Sequence, residues 1–156
     1  MLKTLKDLFE KLGPLSSDSD PLAQQRALQL ATAVMLVEVM RSSPDVHAAE
    51  RAAVLVALQD RFALDADEAD RLTELALQTA QHATDLFGFT SRINDHFDMA
   101  QKLRMIEQMW RVAYADGHLG DLERHVMWRV ADLLHIPQGA YVHARIRARK
   151  EAGIED

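Results

Sequence analysis

Glycine and proline stand almost only at the joints of this chain, and between the joints the apolar residues recur with a helical period. There are 6 glycines and 4 prolines in 156 residues. No segment alternates apolar and polar residues at period two, the pattern of a half-buried strand. A chain without strands can bury its apolar stripes only by packing helix on helix. The pattern predicts an all-α fold, a single bundle of about seven helices with two repeated helix-turn-helix units.

The joints divide the chain. Leu2, Leu5, Leu8, Phe9 and Leu12 form an apolar stripe on a first helix that ends at Gly13-Pro14, and a polar linker follows. Residues 1–19 are thus read as an amphipathic helix and linker, and 20–156 as the helical domain. Asp20-Pro21 opens a second helix, with proline where its missing N–H costs nothing; it runs to about Ser42. A third covers about 47–62. Asp65-x-x-Glu68 is a capping box for a fourth, which runs to about Ala83 and bends into a further short helix before Gly88. Asp98-x-x-Gln101 caps the next, ending near Ala115. Another spans about 120–134, Ile136-Pro137-Gln138-Gly139 breaks the pattern, and the last covers about 140–151.

This length suits one domain with a real core. The net charge of −6 argues against a general nucleic-acid binder, which carries a basic face. The absence of cysteine removes disulfides, thiolate metal sites and thiol redox chemistry. The longest apolar runs, Ala31 to Val37 and Ala52 to Leu58, fall far short of the roughly 20 residues of a membrane span, and residues 1–12 lack the features of a signal peptide. A cytoplasmic location is expected.

Two stretches of the chain resemble each other. Ser43-Pro44-Asp45-Val46 and Glu50-Arg51 stand where Asp116-Gly117-His118-Leu119 and Glu123-Arg124 stand later. Val39 matches Val112, Val54 matches Met127, and after one deletion Phe62 and Leu64 match Leu134 and Ile136. A unit of helix, short acidic turn and helix reads as used twice, and turns carry sites more often than helix bodies do.

Three glutamates accompany these turns. From Leu30 to Met40 the only polar side chains are Thr32 and Glu38. A helix apolar on every face is a buried helix, and a carboxylate there needs a cation, a metal ion or a proton. The repeat sets Glu38 against Arg111, so an ion pair Glu38–Arg111 is one reading and metal ligation the other. Glu50 and Glu123 each fall three residues after an expected N-cap, His47 and Gly120. That is the glutamate position of a capping box, and it also suits the helix dipole. The capping residue itself is missing in both, which leaves room for another role.

The spacing Asp116-Gly117-x-Leu119-x-x-x-Glu123 matches the second half of an EF-hand loop. Val112 and Tyr114 stand where the first half needs oxygen ligands, so a standard EF-hand is not expected. What remains is a tight acidic turn whose Asp116 can meet Glu123, Glu38 and Glu50, an oxygen set suited to hard divalent cations. His118 and Asp45 are accessory candidates. Met35, Met40, Met105 and Met109 read as core filler. Trp110 and Trp128 flank the second turn and are expected in the core. Arg145, Arg147, Arg149 and Lys150 make the last helix basic; they complement a helix C-terminus or dock an acidic partner or membrane surface. No catalytic triad, phosphate-binding glycine loop or zinc-protease motif is present.

Val37-Glu38-Val39-Met40-Arg41, Asp85 to Asn94 and above all Trp110-Arg111-Val112-Ala113-Tyr114-Ala115-Asp116-Gly117-His118-Leu119 resemble the TerB-like tellurite-resistance proteins over about 20–148. The resemblance implies an all-α fold of about seven helices with two related acidic turns. It also implies divalent-metal binding and a place in stress-response complexes, sometimes at the inner face of the membrane. A related domain precedes some J-domains, but no His-Pro-Asp motif follows here. The family's acidic positions fall on Glu38, Glu50, Asp116 and Glu123. The chain departs from the family at the first turn, where the usual Ala-Asp-Gly reads Ser42-Ser43-Pro44.

The expected function is non-enzymatic: a domain that holds a divalent cation, calcium or manganese before zinc, through Glu38, Glu50, Asp116 and Glu123 in a stress or tellurite-resistance role. The alternative is a helical protein-interaction module, co-chaperone-like or a membrane-surface scaffold, whose acidic residues are purely structural. A protein partner is expected, with no nucleic acid and no transmembrane segment. Peripheral membrane contact and a homodimer are compatible with either reading.

Overall fold

The organising element is a helix without a polar face. α1 (Pro21–Arg41) buries every residue from Ala31 to Val37, and Val39 and Met40 beyond. Such a helix is stable only when wrapped by others. The structure, a computed structural model, describes residues 21–42, 48–115, 117 and 119–153. Within them follow α2 (Ala48–Phe62), α3 (Ala66–His82), α4 (Phe87–His96), α5 (Met99–Ala113), α6 (Asp121–Leu133) and α7 (Gln138–Glu151). No strand occurs among the described residues. α1 lies against α2, α3, α4, α5 and α6, while α7 packs chiefly on α5.

The core is the meeting of these faces. Met35 and Leu36 of α1 join Leu58, Leu72, Ile93, Met105, Ile106, Met109, Trp110, Met127 and Leu134, all fully buried. Burying one such side chain stabilises by roughly 1.5–3 kcal/mol. The methionines fill the core as expected.

Local chemistry sets the helix starts. The Asp65 side chain accepts from the Glu68 N–H at 2.8 Å, and the Asp65 N–H donates back to Glu68 at 3.0 Å. Asp98 and Gln101 repeat the arrangement at α5. Each box satisfies two N–H groups that a helix end otherwise leaves orphaned. The segment before Gly88 behaves otherwise. Instead of a short helix ending there, α4 begins at Phe87 and runs on to His96. Leu86 offers no capping side chain; Asp85 accepts from the Phe87 N–H at 2.9 Å instead.

Two turns share an uncommon backbone. Ala63 after α2 and His135 after α6 both take left-handed conformations, with φ of 54° and 59°. They lie between Phe62 and Leu64, and between Leu134 and Ile136, the residues that the two stretches align. Positive φ is strained for a residue with a Cβ, by roughly 1 kcal/mol. Past the C-terminus of α6, Lys102 Nζ donates to the Leu134 carbonyl at 3.2 Å, and Asn94 Nδ2 donates to the Leu133 carbonyl at 2.9 Å. The helix expected over Leu2 to Leu12 and its linker lie outside the described residues.

Candidate functional site

α2 and α6 each carry a glutamate as the third helical residue. Glu50 and Glu123 are both only 1% exposed. A carboxylate in this position faces the positive end of the helix dipole. Val39 and Val112, and Val54 and Met127, are likewise all buried. Other matched pairs differ: Phe62 and Leu64 are partly buried, whereas Leu134 and Ile136 are buried.

Glu123 shows how such a carboxylate is used. Its Oε1 accepts from the Gly120 N–H at 3.0 Å, which is the returning half of a capping box. A Cβ on residue 120 would stand 3.3 Å from that oxygen. That contact is tight but falls on the end of a flexible side chain. Glu123 Oε2 is buried and makes no hydrogen bond among the described residues. A buried carboxylate oxygen without a donor costs free energy unless a cation or proton meets it.

Glu38 and Arg111 do not form the expected pair. Glu38 is half-buried and binds Arg41 Nη1 at 2.5 Å, three residues on along its own helix. Arg41 Nη1 also reaches the Ala80 carbonyl at 3.5 Å. Arg111 has a side chain 42% exposed and binds Glu107 of α5 at 3.0 Å and Glu151 of α7 at 2.8 Å. The hydrogen bond from Arg111 holds the Glu151 carboxyl below the ordinary carboxylate range, and Glu151 raises Arg111 above the ordinary guanidinium value. The sequence match set residue 38 against 111, but each finds its partner elsewhere, so that expected ion pair is corrected.

Asp116, His118, Asp45 and His47 lie outside the described residues. Gly117 between the first two has φ of 92°, and its N–H donates to the Tyr114 carbonyl at 3.0 Å. That conformation requires glycine, though the space around it is open. Among the described residues no three Asp, Glu or His side chains form a group that could hold a metal ion.

The second turn leans on an aromatic cluster. Trp110 is fully buried; its ring lies 5.2 Å from Tyr141 and 5.8 Å from Tyr114, centroid to centroid. The Arg145 guanidinium sits 5.6 Å from the Trp110 ring, and its Nε donates to the Tyr114 hydroxyl at 2.9 Å. Burial raises the Tyr141 hydroxyl above the ordinary phenol value. So part of the basic last helix is spent on holding α5. Trp128, expected in the core, is 58% exposed and stacks on His125 at 6.5 Å. It sits on the outer face of α6, where a flanking position next to a turn does not by itself bring burial.

Sequence reasoning missed a groove of about 520 Å³ where the end of α2 meets α5. Arg61, Arg104 and Arg111 line it together with Asp60, Glu107, Phe62, Phe97, Gln101 and Gln108. No local spacing signals it, since Arg61 lies near the end of α2 and Arg104 within α5, far apart in sequence.

No helix among the described residues is long and apolar enough to cross a membrane. No curated protein and no solved structure matches the chain significantly. One family model, described as Tellurite resistance protein TerB, matches residues 29–146, which takes in both glutamate turns and most of the chain.

Proposed function

We propose a function that starts from one established point: the chain belongs to the TerB tellurite-resistance family. On that premise it works without catalysis, as a cytoplasmic domain that holds a divalent cation at the start of α2 and α6. Glu50 and Glu123 are the principal ligands, with Asp116 joining from the turn and His118 and Asp45 as accessories. Glu38 contributes only by leaving Arg41, which now holds it. The observation that carries the reading is the pair of glutamates, both 1% exposed at equivalent helix starts, one with an oxygen that no described residue's donor meets. Carboxylate oxygens are hard ligands, so calcium or manganese is expected before zinc. The family's name points to a stress or tellurite-resistance role.

Calorimetric titration of the metal-stripped protein with calcium and with manganese tests this. The expected result is saturable heat with a change in Trp110 emission. Neither heat nor emission change at millimolar ion would reject the cation.

A second reading rests on Trp128. An exposed indole on α6 is the kind of residue that anchors protein interfaces, and it supports a docking module of co-chaperone or membrane-scaffold type. Capture of a partner that survives chelator and is lost in Trp128→Ala would favour this reading over the first.

A further inference from the structure

We propose that the groove between the end of α2 and α5 binds an oxyanion, a phosphate or carboxylate group on a small molecule, between the guanidinium groups of Arg61 and Arg104. Both arginines line the groove, and neither forms an ion pair among the described residues. Two of the three nearby acids are otherwise engaged. Glu107 gives one oxygen to Arg111 and the other to Arg147, both within 3.0 Å. Asp60 also lines the groove and raises the Arg111 guanidinium slightly. Asp98 favours the Arg61 charge but is occupied as the cap of α5.

The geometry presents Arg61 for such a ligand. Its guanidinium carbon lies 4.7 Å from the Phe97 ring centroid and 6.0 Å from that of Phe62. Contact with aromatic faces holds a guanidinium by cation–π attraction. A guanidinium fixed in this way keeps its planar fork for bidentate pairing with an oxyanion. Burial, and then the charge of Arg104, push Arg61 below the ordinary guanidinium value, and Asp98 offsets this only in part. Two neighbouring like charges destabilise each other, and an anion placed between them relieves both. The inference is independent of the cation site, which lies at the helix starts.

The full chain, labelled with nitrogen-15 and kept in chelator at constant ionic strength, would be titrated with inorganic phosphate and separately with succinate. The arginine Nε–H resonances are followed. Saturable shifts confined to Arg61 and Arg104 are expected with at least one probe. Phosphate alone would assign a phosphoryl ligand and succinate alone a carboxylate. Arg104→Gln, at an exposed position that the fold tolerates, should weaken binding about tenfold, the loss expected for one charge-assisted contact. Arg61→Gln should do the same with its circular dichroism unchanged, while Arg129→Gln on α6 leaves affinity intact. Shifts that spread over all arginines without saturating, or that are unaltered in Arg104→Gln, overturn the proposal.

Discussion

Lys102 Nζ donates to the carbonyl of Leu134, 32 residues away in sequence, and places a buried ammonium just past the C-terminus of α6. A cation there complements the dipole and meets a carbonyl that the helix cannot satisfy itself. Lys102→Met keeps most of the aliphatic bulk and removes both effects. We expect a loss of about 1–3 kcal/mol, read as a fall in Tm of roughly 2–12 °C for a chain of this size.

Arg111→Ala should behave quite differently. Its pairs with Glu107 and Glu151 are exposed, and such pairs contribute at most about 1 kcal/mol. Urea denaturation should show a shift below that bound. A loss of several kcal/mol would mean a buried partner after all.

The Arg111–Glu151 contact also has a pH signature. Glu151 is depressed in the folded protein, so its contribution is present above the ordinary carboxylate range and is lost as pH falls through its lowered value. The wild type should exceed Glu151→Gln by a few tenths of a kcal/mol at neutral pH. The two should converge in acid. Equal stability at every pH would remove the link between α5 and α7.

Glu123→Gln separates structure from cation binding. The amide oxygen can still accept from the Gly120 N–H, while a buried charge disappears. The metal-free variant should be as stable as the wild type or more so, by about 1 kcal/mol. Calcium or manganese should raise the Tm of the wild type only. At about a hundred times Kd the added stability approaches 2.7 kcal/mol. An equal rise in both proteins would place the ion elsewhere.

The left-handed residues supply a further comparison. Ala63→Gly and His135→Gly should each stabilise by a few tenths to about 1 kcal/mol, since glycine takes positive φ without a clash. The gain is measured by the midpoint of chemical denaturation, and a loss in either would show that the side chain is needed.

Helix starts were legible wherever a side chain makes them. Asp65 and Asp98 announce their boxes, and both form. The start of α4 was not legible, because no capping side chain stands at Leu86. Apolar periodicity also placed α1 inside, but it could not say where Glu38 would turn. The choice between Arg41 and Arg111 depends on helix rotation, and a partner one turn away needs no rearrangement of the fold. Trp128 was misplaced for a related reason: hydrophobicity biases a residue inward, yet its face on α6 points out. The burial of Glu50 and Glu123 was not legible, since the incomplete caps pointed only to another role. The groove at Arg61 arises from residues distant in sequence and left no local trace.

The position of α1 has a consequence for synthesis. A ribosome releases this greasy axle before the five described helices that pack on it, and α5 and α6 come last among them. Until they emerge, the nascent chain exposes apolar surface that folding intermediates are prone to aggregate through.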